Sequence, residues 1–217
     1  MASLSQRLAE RGLPSVRAQA AHPTVAGIAR GDLDPAVFRS WLEQDYLFLL
    51  DYVRVFARLA WQAPDGHLGD LVDLAHSTWH DELALHRSLA AEFDADLFGA
   101  VAGPATTAYT GFLLDAAEDY GRGLAALLPC MWGYAELGQR LAAAGTPLDR
   151  RYTRWIETYA SPEFDELATW CRGLVDRLGA AAGDEGRARM TRAFVTCSRY
   201  ELAFWEMGWT LECWPDA

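Results

Sequence analysis

Apolar residues recur along this chain every three to four positions, the helical period, and no stretch alternates long enough to suggest a strand. The pattern predicts a short helix around Ser3 to Glu10, and a second over His22 to Gly31 closed by its glycine. A long helix follows from Asp34-Pro35 to about Ala63, with Asp34 as N-cap and Pro35 at the first helical position. Pro64-Asp65-Gly66 marks a turn, and the next long helix runs from Leu68 to Phe93. Further helices are predicted from Pro104 to about Tyr120, Gly121 to Ala144, Pro147 to Tyr159, Pro162 to Leu178, and Asp184 to about Glu212. There is no repeat, no low-complexity tract and no linker-like stretch, so residues 1–217 read as one all-α domain.

The stretch from Leu124 to Gly138 is apolar on nearly every side, which predicts a helix in the middle of a bundle. Pro129 lies inside it and cannot donate to the carbonyl of Ala125, so a kink or loosened turn is expected there. Cys130 follows that defect directly, and Tyr134 falls on the same face one turn later.

Two other long helices carry a single polar interruption on an apolar face. In the first, Phe38, Trp41, Leu42, Phe48, Leu49, Tyr52, Val55, Phe56 and Leu59 form one stripe, broken only by Asp45. In the last, Met190, Phe194, Cys197, Phe204, Trp205 and Gly208 share a face with Glu201. A carboxylate in such a place must be paired, hydrogen-bonded or neutralised, because burying it bare is costly. Desolvation at Glu201 should raise its pKa. Three helices far apart in sequence thus bring a thiol, a phenol and two carboxylates to inward faces, which suggests a pocket between helices of a bundle.

Composition narrows the function classes. The formal net charge is −11, which argues against nucleic acid and anionic membrane surfaces as partners. The N-terminal residues show no signal-like segment and no apolar run is long enough to span a bilayer, so a cytoplasmic protein is expected. The four cysteines, at 130, 171, 197 and 213, are scattered without metal-type spacing and are expected as free thiols.

Metal chemistry is the alternative to weigh. His76 and His80 have i, i+4 spacing, with Asp81, Glu82 and His86 nearby. A carboxylate-bridged di-iron bundle needs Glu-x-x-His pairs on two helices. All five histidines precede residue 87, so the Cys130 and Glu201 helices have none to offer, and these histidines read better as surface or helix-capping residues.

Several short motifs occur together in a particular order: His22-Pro23, Gln44-Asp45, Glu82-Leu83-Ala84-Leu85-His86, Ala108-Tyr109-Thr110, the run from Leu127 to Tyr134, Trp155 to Tyr159, and Tyr200 to Met207. In these the chain resembles the TenA family of aminopyrimidine aminohydrolases (type II thiaminases), from about His22 to Trp209. The resemblance implies the all-α haem-oxygenase-like bundle. It implies Cys130 as the nucleophile of the cysteine-containing branch, Glu201 as the catalytic glutamate, and Asp45 as the holder of the aminopyrimidine edge. Tyr109, Tyr134 and Tyr159 correspond to pocket tyrosines and Phe204 to a ring stacked on the pyrimidine. Where many members have a pocket tyrosine three residues after the aspartate, this chain has Phe48.

The implied reaction converts 4-amino-5-aminomethyl-2-methylpyrimidine to its 5-hydroxymethyl analogue, with slower hydrolysis of thiamin. A thiolate adding to the ring would break aromaticity and let ring electrons expel the amine. Glu201 could protonate that amine and later deprotonate water, while Asp45 hydrogen-bonds the amino-pyrimidine edge. No metal or organic cofactor is needed. A small-molecule aminopyrimidine is the expected partner, and the family resemblance implies a homotetramer. Two alternatives stay open: a pyrimidine-binding protein with altered ligand or little turnover, and a haem-oxygenase-like di-iron oxidase.

Overall fold

A computed structural model describes residues 2–215. Among them the regular structure is entirely helical: α1 (Leu4–Ala20), α2 (Pro23–Arg30), α3 (Pro35–Gln62), α4 (Asp65–Ser77), a π-turn (Thr78–Glu82), α5 (Leu83–Phe93), α6 (Pro104–Ala116), α7 (Tyr120–Ala144), α8 (Arg151–Tyr159), α9 (Pro162–Ala181) and α10 (Asp184–Thr210).

Local chemistry sets most of the starts. Asp34 caps α3 through the N–H of Ala36, with Pro35 at the first helical position. Ser161 caps α9 through Phe164, again ahead of a proline. His22 caps α2, its ring nitrogen accepting from the Thr24 N–H, and its other nitrogen lies 3.1 Å from Glu206 of α10. Gly31 ends α2 in the left-handed conformation with φ of 74°, which glycine adopts without steric cost.

The first half of α7 is buried on every side, from Gly123 through Pro129, and packs between α9 and α10. The helix continues through Pro129 to Ala144 without leaving the helical state. α3 forms the other centre, lying against α4, α5, α6 and α10. Gly138 lets α7 touch the end of α8: a Cβ there would meet the Tyr159 carbonyl oxygen at 2.6 Å. That close approach fixes Tyr159 relative to the Cys130 helix. Among the described residues no helix is long and apolar enough to cross a membrane.

Three expectations are corrected. The first helix does not stop at Glu10 but runs to Ala20, with Pro14 inside it. Pro14 forfeits one backbone bond, yet α1 lies along α10, and Gly12 sits so close to Phe194 that a Cβ would come within 2.8 Å of its ring. Burial of one face outweighs the local breakers. The helix expected from Leu68 to Phe93 starts earlier and is interrupted by the π-turn. The helix expected from Pro147 begins at Arg151, after a turn in which Asp149 binds the Arg151 N–H.

Candidate active site

A cavity of about 340 Å³ opens between α3, α4, the π-turn, α7, α8 and α9. Asp45, Phe48, Cys130, Tyr134 and Tyr159 line it, as do Tyr52 and Glu82. Three residues of the expected set, Tyr109, Glu201 and Phe204, do not line it. Tyr109 donates to Glu201 Oε1 at 2.5 Å, and the rings of Tyr109 and Phe204 lie 5.0 and 5.6 Å from Phe48. Glu201 nevertheless lies near enough to Cys130 for its charge to act on the thiol.

Asp45 is buried and its Oδ2 lies 2.6 Å from Nε2 of His86, a fully buried ring. His86 Nδ1 donates to the backbone carbonyl of Glu82 at 2.8 Å, because a carbonyl can only accept. Nδ1 therefore carries a proton, and Nε2 faces the Asp45 carboxyl group. Burial works against a charged imidazole, but the bond to Asp45, its charge and the Glu82 side chain outweigh it and raise the His86 pKa. His86 thus corrects the expectation of a surface or capping histidine. His76 and His80 do fit it: both are exposed, with rings 4.3 Å apart.

Cys130 is half-buried and free, as are buried Cys171 and Cys197 and exposed Cys213. Burial pushes the Cys130 thiol well above its ordinary value, and the charges of Glu201, Glu82 and Asp45 push it further, while a hydrogen bond with Tyr52 acts the other way. At rest the sulfur carries its proton. Burial also raises Glu201 to about 8, against the lowering effect of the Tyr109 bond. Glu82 rises to about 7, again through burial first, with His86 and the Tyr159 bond opposing. The phenols of Tyr109, Tyr134 and Tyr159 are pushed up by burial and stay protonated donors. Tyr134 is held by a stack: its ring lies 5.7 Å from Trp205, which in turn lies 5.4 Å from Trp41 and nearly parallel to it.

This arrangement puts a thiol, a carboxyl group of raised pKa and a carboxyl group anchored by His86 around one space of small-molecule size. The sequence profile of the TENA/THI-4/PQQC family matches residues 11–211. The chain belongs to this family. It is 35% identical to an aminopyrimidine aminohydrolase of Halalkalibacterium halodurans, over 98% of both chains. It is 32% identical to an aminopyrimidine aminohydrolase of Helicobacter pylori, over 87% of this chain and 90% of the relative. The TenA homologue of P. horikoshii OT3 superimposes with a TM-score of 0.89 at 28% identity, over 96% of this chain and 99% of that one. A haem-oxygenase-like protein from Shewanella denitrificans shares the fold alone, with a TM-score of 0.78 at 11% identity, over 97% and 94% of the two chains.

Within this TENA/THI-4/PQQC member, sequence reasoning missed three residues. Tyr52 lies two turns after Asp45 on the same stripe, so its spacing alone could have nominated it. Glu82 and His86 stood in a quoted motif, and their i, i+4 spacing was visible. Their roles were not, because the π-turn that aims Glu82 leaves no periodic trace. Among the described residues no cluster of His, Cys, Asp or Glu is arranged to hold a metal ion.

Proposed function

We propose that this protein is an aminopyrimidine aminohydrolase of thiamin salvage, converting 4-amino-5-aminomethyl-2-methylpyrimidine and water to the 5-hydroxymethyl pyrimidine and ammonia. Thiamin is the slower substrate. The observation that carries this reading is that the Cys130 thiol and the Asp45 carboxylate open onto the same cavity, with one Asp45 oxygen already held by His86. The other oxygen is free to accept from the amino-pyrimidine edge, a charge-assisted bond that fixes the ring. Tyr134 supplies an aromatic surface to it.

Cys130 adds to a ring carbon, and its proton passes to Glu201 in the ionised form. The ring, no longer aromatic, pushes electrons toward the exocyclic carbon. The C–N bond breaks with its pair on nitrogen, which takes the proton from Glu201. Water then adds to the exocyclic carbon and gives a proton to Glu201. Expulsion of the sulfur restores aromaticity, and Glu201 returns the proton to the thiol. A carboxyl group with its pKa near 8 exchanges protons in both directions at neutral pH.

Cytoplasmic location and a homotetramer belong to the same reading, on the family resemblance; light scattering of the purified protein tests the latter. The activity is tested by assaying purified protein on thiamin and on the aminomethylpyrimidine side by side. Release of ammonia from the second, faster than thiazole from the first, is the expected result. Turnover of neither removes the hydrolase reading.

A further inference from the structure

Glu82 takes no part in the chemistry just described, yet three features hold it in the cavity wall. It is the last residue of the π-turn, where an extra residue per turn rotates a side chain away from the direction an α-helix would give it. Its Oε1 accepts from the Tyr159 hydroxyl at 2.9 Å, and Gly138 sets the backbone of Tyr159 against α7. Its own carbonyl holds His86, so the residue that shapes this wall also orients the partner of Asp45. Among the described residues nothing bonds Oε2.

We propose that Glu82 is the subsite for the exocyclic nitrogen of the substrate, which binds there as an ammonium ion while Asp45 holds the ring edge. This rests on the aminopyrimidine reading and names the substrate class: pyrimidines carrying a basic, cationic amine. Electrostatics support it. The residues lining the cavity include Asp45, Asp81, Glu82 and Glu163, and none of them is Lys, Arg or His. Both nitrogens of His86 are engaged elsewhere, one with Asp45 and one with the Glu82 carbonyl, so the ring makes no bond to the Glu82 carboxylate. A largely desolvated carboxylate to which no cation is bonded directly favours a ligand that supplies one. A phosphorylated pyrimidine would instead meet four carboxylates, and a neutral N-acyl derivative would gain nothing from Glu82.

The same assignment bears on turnover. A nitrogen that arrives as ammonium already carries one proton when the C–N pair passes to it. The ammonia set free then takes the proton held by Glu201 and departs as ammonium, and Glu201, left ionised, accepts the proton of the attacking water. The hydroxymethyl product has no charge for Glu82 to hold, so it binds more weakly than the substrate and is released.

The test uses the Cys130→Ser protein, which holds substrate without consuming it, and isothermal titration at pH 8 with the aminomethyl and hydroxymethyl pyrimidines. Adding Glu82→Gln should weaken aminomethyl binding by about tenfold or more, and leave hydroxymethyl binding within about twofold. Glu82→Asp keeps the charge one methylene further back and should retain the preference for the amine in reduced form, which guards against misfolding of the amide variant. Equal losses for both ligands, or no loss for either, would overturn the assignment. Failure of the Cys130→Ser protein to bind either pyrimidine overturns the functional reading itself, and this inference with it.

Discussion

On one side of the cavity, α3, α7 and α10 are regular helices that bring Asp45, Cys130 and Glu201 inward as polar interruptions of buried apolar faces. On the other, Glu82 and Tyr159 come from the last residues of the π-turn and of α8. The first wall holds its groups by packing, through the Trp41–Trp205–Tyr134 stack and the fully buried start of α7. The second holds its groups by hydrogen bonds, Tyr159 to Glu82 and His86 to the Glu82 carbonyl. Close-packed groups are fixed where reacting atoms need them. Bonds at element ends set charge and aim at lower cost to the fold. Substitutions at Cys130 and Glu201 should therefore strike the chemistry, and those at Asp45 and on the second wall should strike affinity.

The largest effect is expected at Cys130. Serine in its place should lower kcat by about a thousandfold or more and leave product binding within about twofold. Cys171→Ser, in the packed core of α9, should keep kcat and cost about 1 kcal/mol of stability. Serine at 130 with near-parental turnover would empty the first wall of its nucleophile.

Asp45→Asn comes next. Losing a charge-assisted acceptor is worth about 1.5–3 kcal/mol, so product affinity should fall roughly ten- to a hundredfold. An unchanged Kd would reduce Asp45 to a structural partner of His86.

Glu201 sharpens the contrast through stability. Its pKa is about 8 in the folded chain against an ordinary 4.5. The folded state therefore binds the extra proton, and stability falls as pH rises through that window, by about 1.4 kcal/mol per pH unit for the group. Glu201→Gln should flatten that slope in urea denaturation between pH 5 and 8 while lowering kcat. A slope identical to that of the parent would show that burial at this position does not govern its titration.

On the second wall, Tyr159→Phe removes one bond to Glu82. About 1 kcal/mol, or roughly fivefold, should appear in KM for the aminomethylpyrimidine, with kcat little changed. A fall confined to kcat would move Tyr159 to the chemical wall. The smallest effect is expected just outside the cavity: His80→Gln, on the exposed face of the π-turn, should leave activity unchanged and stability within about 0.5 kcal/mol. A large loss there would extend the second wall to the protein surface.

The same contrast separates what the amino-acid sequence determined from what tertiary structure decided. Caps and prolines placed the starts of α3 and α9, and the helical period exposed Asp45, Glu201 and Cys130 as interruptions on inward faces. These signals are local: a cap acts within one turn, and periodicity is a property of a single helix. Continuation of α1 through Gly12 and Pro14 depended on the face α10 offered it, and so could not be read from the breakers alone. The π-turn, the burial of His86 against Asp45, and the bond of Tyr109 to Glu201 required helices distant in sequence to meet. A histidine of α5 buried against a carboxyl group of α3, or a carboxyl group held near 7 by burial, is a property of the space between elements. Packing creates that space, and no window along one helix encodes it.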